Sequence, residues 1–226
     1  MPRGYYQKKL FPFQDKVLGL MEEIKSPFYL TGGTALSRCY LQHRYSDDLD
    51  FFLNADPNFK AYCNNVIDHF RRIHEWRLEV GTTADTFLRV FLEREGVFLK
   101  VDFVNDIEYR YGDIEECNIY YRVDNWRNIL SNKLCSLSRR DVKDLVDVVF
   151  TSMKYEFRWE EIFEESRQKD LWVDPLEICK IIKEFPRELL SNVKWMYAPN
   201  MDKLYPALDQ LHDDIFWGRE NSLCRP

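Results

Sequence analysis

"TGGTALSRCYLQHRYSDDLDFF", residues 31–52, sets two glycines ahead of a short apolar-and-polar stretch and then places two acids, Asp48 and Asp50, among Leu49, Phe51, Phe52 and Leu53. Taking a carboxylate out of water without a partner costs several kcal/mol, so acids in this setting call for something cationic to meet them. A metal ion is the simplest candidate. On an extended strand alternate side chains share a face, so Asp48 and Asp50 point one way while Leu49 and Phe51 point the other.

Outward from this stretch, "FQDKVLGLMEEI" (13–24) carries apolar residues at helical spacing, and "PFYLTGG" (27–33) reads as a strand ended by a Gly-Gly turn. "TALSRCYLQH" (34–43) is expected as a helix, "DDLDFFLN" (47–54) as the next strand, and "PNFKAYCNNVIDHFRRI" (57–73) as a Pro-started amphipathic helix. Three β-rich segments follow, "WRLEVGTT" (76–83), "TFLRVFLE" (86–93) and "VFLKVDFVND" (97–106), with a hairpin turn at Glu95-Gly96. In the last of them Asp102 shares a face with Phe98, Lys100 and Val104. If its strand neighbours the one bearing Asp48 and Asp50, three carboxylates meet. Such a set suits Mg²⁺, a hard cation that takes oxygen ligands and shares its sphere with substrate phosphates, as in-line nucleotidyl displacement requires. Gly32 and Gly33 at a helix start let phosphate oxygens approach backbone N–H groups, and Thr34 adds a hydroxyl.

From about residue 124 the pattern turns helical: "NWRNILSNKLCSLS", "RRDVKDLVDVVFTSM", "WEEIFEESRQK", "PLEICKIIKEF" and a last helix within 200–217. In the second of these, Val142, Leu145, Val146, Val149 and Met153 form an apolar stripe that leaves Arg140, Lys143, Asp144 and Asp147 on another face. That face is either a basic surface for triphosphate or a solvated one with a Lys143–Asp147 pair at i,i+4 spacing.

Composition sets the bounds. The 226 residues, 45% hydrophobic and 15% aromatic, suffice for a sizeable core, and the net charge of −6 argues against a generalised basic surface for nucleic acid. No apolar run approaches a membrane span and the N-terminus lacks a signal-peptide core, so a cytoplasmic protein with no membrane partner is expected. The six cysteines are scattered without a Cys-x-x-Cys pair and read as reduced core thiols. None of the four histidines has metal-ligand spacing, and His43 belongs to the turn ahead of the acids.

The order of these features resembles a known family. "GGTALSRCYLQHRYSDDLDFF" looks like the first motif of the AbiEii/AbiGii toxin family of nucleotidyltransferases, in the polymerase-β-like superfamily, where Gly-Gly-Thr-Ala-Leu is followed by Arg-x-Ser-x-Asp-Leu-Asp. Here that second part is Arg44, Ser46, Asp48, Leu49 and Asp50. "NKLCSLSRRDVKDLVDVVF" is similar to the family's helical segment, with Lys133-Leu134 at its start and Lys143-Asp144 and Asp147 at its end. The resemblance implies an α+β fold: a polymerase-β-like nucleotidyltransferase core with a mixed sheet and helices over 1–123, then a C-terminal helical bundle over 124–226 packed on the core. It implies Asp48, Asp50 and Asp102 as catalytic metal ligands for Mg²⁺, or Mn²⁺ in its place. Gly32, Gly33, Thr34, Ser46, Lys133, Arg139 and Lys143 are then the nucleotide-binding set. The implied reaction moves a nucleoside monophosphate from a nucleoside triphosphate onto an acceptor hydroxyl, on RNA such as tRNA or on protein. The implied setting is the toxin half of a toxin–antitoxin or phage-defence pair, with an antitoxin as partner. The alternative is a non-catalytic nucleotide-binding regulatory module on the same fold, against which the presence of all three acids speaks.

Overall fold

A computed structural model of the chain describes residues 3–224. Contacts divide it into two units, one running to Cys39 and resuming over Tyr45–Asp124, the other formed by Tyr40–Arg44 with the chain from Asn125 onward.

In the first unit, α1 (Arg3–Tyr5), a π-helical stretch Tyr6–Leu10 and α2 (Phe11–Glu23) follow one another, and α2 buries Phe13, Val17, Leu18 and Met21 along one side. Strand β1 (Tyr29–Thr31) runs directly into α3 (Gly32–Ala35), which continues as a π-helical stretch Leu36–Leu41. Then come β2 (Leu49–Asn54), α4 (Phe59–Arg71), β3 (Arg77–Thr83), β4 (Phe87–Arg94), β5 (Val97–Asp106), β6 (Glu115–Cys117) and β7 (Tyr120–Val123). The strands build one seven-stranded mixed sheet in the order β3-β4-β5-β2-β1-β7-β6. β2 pairs in parallel with β5 and β1 with β7, and the remaining pairs are antiparallel. Along β2 burial alternates, Leu49, Phe51 and Leu53 inside, as a strand with one face on a core requires. Phe51 stacks on Phe103 across the parallel pair at 5.5 Å, and Phe28 meets Phe103 edge-on at 5.0 Å.

Two sequence expectations change here. The strand begins at Leu49, so Asp48 stands one residue ahead of it. Cys39 and Cys117 are joined by a disulfide, with Cα atoms 5.9 Å apart, and are not free thiols; Cys63, Cys135, Cys179 and Cys224 are free. The bonded pair is 78 residues apart and lies on two elements that only the folded sheet brings together, so no spacing announces it.

The second unit is helical: α5 (Trp126–Ser136), a 3-10 turn Leu137–Arg139, α6 (Val142–Lys154), α7 (Trp159–Lys169), α8 (Pro175–Glu184), a 3-10 stretch Arg187–Asn192 and α9 (Met201–Phe216). Asn125, Asp141, Asp174 and Asn200 cap α5, α6, α8 and α9, each side chain accepting a backbone N–H two or three residues on. Leu130, Leu134, Leu145, Val149, Trp159, Ile162, Ile178 and Leu211 are among the residues of its core.

A polar cluster sits inside this unit. Asp147 is fully buried and accepts two bonds from Arg44, Nε to Oδ1 at 2.7 Å and Nη2 to Oδ2 at 2.7 Å. Lys133 Nζ lies 2.8 Å from Asp147 Oδ2 and 2.7 Å from Asp144 Oδ1. His43 Nε2–H donates to Asp147 Oδ1 at 2.8 Å, since a carboxylate can only accept. The polar face of α6 is therefore divided, with Arg140 and Lys143 towards solvent and the two acids inside. Asp144 and Asp147 are interior, and Lys143 pairs with its cap Asp141 at 3.3 Å, not with Asp147.

Burial works against the Asp147 carboxylate, but Arg44 and Lys133 outweigh it and hold its pKa well below the usual range. Burial lowers the His43 pKa despite Asp147, so the ring is neutral in the folded protein. Both shifts act in the same direction on acidification. The unfolded chain takes up the histidine proton near pH 6.5 and the aspartate proton near pH 3.9, in each case before the folded protein does, so stability falls as pH drops through these values. Asp147→Asn is expected to lower unfolding free energy by about 3–5 kcal/mol at neutral pH, because it leaves Arg44 and Lys133 buried with less compensating charge. Urea unfolding of variant and wild type at pH 7 checks this.

Candidate active site

The register of the parallel pair decides which acids meet. Asp50 on β2 lies directly beside Asp102 on β5, and Thr31 on β1 lies directly beside Asp50 on its other side. Asp48, one residue ahead of the strand, is brought towards Asp102 through Lys100, whose ammonium reaches both. Cross-strand neighbours are about 5 Å apart, close enough for the carboxylates to repel strongly unless cations stand among them.

Two cations do. Arg89 on β4 is the direct cross-strand partner of Asp102 and grips it bidentately, Nε to Oδ1 at 2.8 Å and Nη2 to Oδ2 at 2.7 Å. Lys100 reaches Asp48 Oδ2 at 2.9 Å and Asp102 Oδ2 at 3.4 Å. Burial disfavours the Lys100 charge, yet the bond to Asp48 and the nearby Asp102 and Asp50 raise its pKa overall. For Arg89 the bond to Asp102 is the largest cause of a raised pKa. Asp48 is the more open of the paired acids, its side chain 38% exposed against 9% for Asp102.

The turn between β1 and α3 is fitted to this arrangement. Gly32 has φ of +69°, and a Cβ there would stand 2.6 Å from Asp50 Oδ2. A side chain is thus barred twice, by backbone conformation and by the carboxylate that approaches it. Thr34 is buried and its hydroxyl donates to the carbonyl of Asp48, so it anchors the start of the acid-bearing strand. Gln14 on α2 is also buried and its Nε2 donates to the carbonyls of Ser46, at 3.2 Å, and Asp47, at 3.4 Å. Tyr6 donates to Asp47 Oδ1 at 3.0 Å and stacks on Tyr45 at 3.9 Å. On the far flank Thr31 donates to Asp124 Oδ2 at 2.8 Å, and Asp124 pairs with Arg110 at 3.4 Å.

Of the residues expected from sequence, Asp48, Asp50, Asp102, Gly32, Gly33, Thr34 and Ser46 all belong to the first unit. Lys133, Arg139 and Lys143 belong to the second. There Lys133 is enclosed by Asp144 and Asp147, Arg139 is exposed with Asp144 at 3.6 Å, and Lys143 is exposed beside Asp141. Sequence reasoning missed Arg89, Gln14 and Tyr6. Lys100 was placed on the face of Asp102 by alternation, but alternation alone assigns no partner.

The donor set fits a divalent ion in kind: carboxylate oxygens on rigid strands, of which Asp48 and Asp102 already share one positive charge. Among the described residues no three such side chains close on a common point as they stand. Asp48, Asp50 and Asp102 would hold the ion.

Gly32→Ala is expected to displace Asp50 and to lower stability by about 1–3 kcal/mol, the scale of a forced positive φ with a steric clash. Thermal unfolding of the variant against Gly96→Ala, whose added Cβ meets nothing within 4 Å and whose φ is also positive, separates the clash from the backbone cost. A larger loss at Gly32 is the expected result.

The fold is shared with JHP933 from Helicobacter pylori, at a TM-score of 0.57 and 18% identity over 91% of this chain and 90% of that one. It is also shared with MenT4, a nucleotidyltransferase toxin from Mycobacterium tuberculosis, at a TM-score of 0.64 and 15% identity over 92% of this chain and 82% of that one. No curated protein sequence matches. A family model described as nucleotidyl transferase AbiEii toxin, type IV toxin–antitoxin system, matches residues 21–210, and with that span covering the Gly-Gly turn, all three acids and the Lys133–Asp147 cluster, the chain belongs to the AbiEii family of nucleotidyltransferase toxins.

Proposed function

We propose that this nucleotidyltransferase is metal-dependent and moves a nucleoside monophosphate from a nucleoside triphosphate onto an acceptor hydroxyl of RNA or protein, using Asp48, Asp50 and Asp102. The observation that carries the reading is the β2–β5 register, which sets Asp50 beside Asp102, with Asp48 joined to Asp102 through Lys100. In the reaction the acceptor oxygen bonds to the α-phosphorus, the bond from that phosphorus to the bridging oxygen breaks, and pyrophosphate leaves. A bound Mg²⁺ or Mn²⁺ supplies neutralisation of the triphosphate and of the charge that develops on transfer.

The chain's own residues supply position. Gly32 presents backbone without a side chain next to Asp50, which gives a triphosphate room to come up against the acids. Gln14 and Thr34 fix the carbonyls of residues 46–48 and so fix where the Asp48 side chain starts. Arg89 keeps Asp102 in one orientation. Such preorganisation lowers the rearrangement needed at the moment of transfer. The family further supports a growth-inhibiting role opposed by an antitoxin.

The test is incubation with each α-³²P-labelled nucleoside triphosphate, Mg²⁺ or Mn²⁺, and total cellular RNA or protein. Label in one fraction identifies donor and acceptor class together. Asp48→Asn is expected to fold normally and to lose at least about a hundredfold in rate, the scale of removing a main electrostatic contributor. Transfer at the wild-type rate by Asp48→Asn, or transfer undiminished by chelation, overturns the reading.

A further inference from the structure

Arg89 and Lys100 stand against the same acids but hold them differently. The Arg89 fork spends two N–H groups on Asp102 alone, a rigid planar match. Lys100 is a point charge on a flexible four-carbon stem, and its ammonium is shared between Asp48, at 2.9 Å, and Asp102, at 3.4 Å, two acids from different strands. It is also within reach of water, its side chain 28% exposed. The ammonium therefore stands between Asp48 and Asp102, the place a metal ion shared by these two acids would take.

We propose that Lys100 is the site's resident counter-ion, and that a divalent cation binds by displacing its ammonium from between Asp48 and Asp102, so that Lys100 sets how tightly metal is held. The proposal rests on the metal-dependent reading above. Two positive charges cannot stand among the same carboxylate oxygens, and of the two resident cations Lys100 is the one free to leave: it is held by single contacts at the end of a flexible stem, whereas Arg89, though as open to water, is locked to Asp102 by two parallel bonds. Arg89 remains and keeps Asp102 oriented while the exchange takes place. The exchange also favours doubly charged ions: a monovalent ion brings no more charge than the ammonium it would replace, whereas Mg²⁺ or Mn²⁺ does. Lys100 thus acts through the acids and is a positioning residue.

The test reads metal binding, not turnover. Mn²⁺ is titrated into nucleotide-free wild type, Lys100→Met, Lys100→Arg and Asp48→Asn, followed by calorimetry and by the electron paramagnetic resonance signal of free Mn²⁺. Lys100→Met is expected to bind Mn²⁺ about tenfold or more tightly, the scale of removing one close charge from a half-exposed site. Lys100→Arg should stay near wild type, and Asp48→Asn should lose most of the affinity. In the metal-free state Lys100→Met should melt below wild type, and Mn²⁺ should raise its melting temperature by more. Equal or weaker Mn²⁺ binding by Lys100→Met, beside measurable binding by wild type, overturns the counter-ion role and leaves the metal-dependent reading intact. Tightening of Lys100→Arg to the level of Lys100→Met overturns it as well, because the charge would then be irrelevant. If neither wild type nor Lys100→Met binds Mn²⁺ at millimolar concentration, both readings fall together. Lys100→Gln serves as the neutral variant if Lys100→Met does not fold.

Discussion

Like charges gathered on one face of a sheet repel, and much of the first unit answers that constraint. Carboxylates about 5 Å apart cost roughly 3 kcal/mol at an effective dielectric near 20. Asp50 and Asp102 are fixed at cross-strand neighbours by a register that also stacks Phe51 on Phe103, so slipping the strands to separate the acids would dismantle the core beneath them. Relief has to come from neighbours. Arg89 and Lys100 bring it from β4 and β5, and Gly32 contributes by having no side chain to crowd Asp50.

The second unit meets the opposite problem, a carboxylate with no water at all. Asp147 is surrounded by Arg44, Lys133 and His43, and its two oxygens are fully subscribed. Interior ion clusters of this kind are weak sources of net stability but exacting about geometry, since each member is costly when its partners are missing. Through Arg44 the cluster fixes Tyr40–Arg44, four residues upstream of Asp48, within the helical unit; His43 adds a backbone bond, its carbonyl accepting from Met196 N–H at 3.1 Å.

Much of the first unit could be read from the sequence because strand alternation and glycine are strong local signals. Leu49, Phe51 and Leu53 against Asp50 gave the face of the acids, and Leu99, Val101 and Phe103 against Asp102 gave the second strand. What failed was information that lives between distant elements. "KDLVD" on an amphipathic helix looks the same whether its acids face solvent or a buried lysine, because periodicity reports the apolar stripe and is silent about what covers the polar one. The short strands β6 and β7 hold too few residues for a period to register, and β7 is recognisable only by its pairings with β1 and β6. In the C-terminal aromatic run Trp195 packs on the helical core, whereas Tyr197, Phe216 and Trp217 are exposed.

The bond between Cys39 and Cys117 makes part of this chain a covalent ring. Asp48, Asp50 and Asp102 all lie on it, as do Arg89 and Lys100, while Gly32 and the helical unit's cluster from Lys133 to Asp147 lie on the tails. A single peptide-bond break between the two cysteines therefore opens the ring without separating the acids into different molecules. A break between Gly33 and Cys39 severs them from the glycine turn, and one between Cys117 and Lys133 severs them from the lysine cluster. The oxidised molecule is in this respect a cyclic cassette of acids and their counter-ions with two linear arms, and only reduction turns it back into a simple chain.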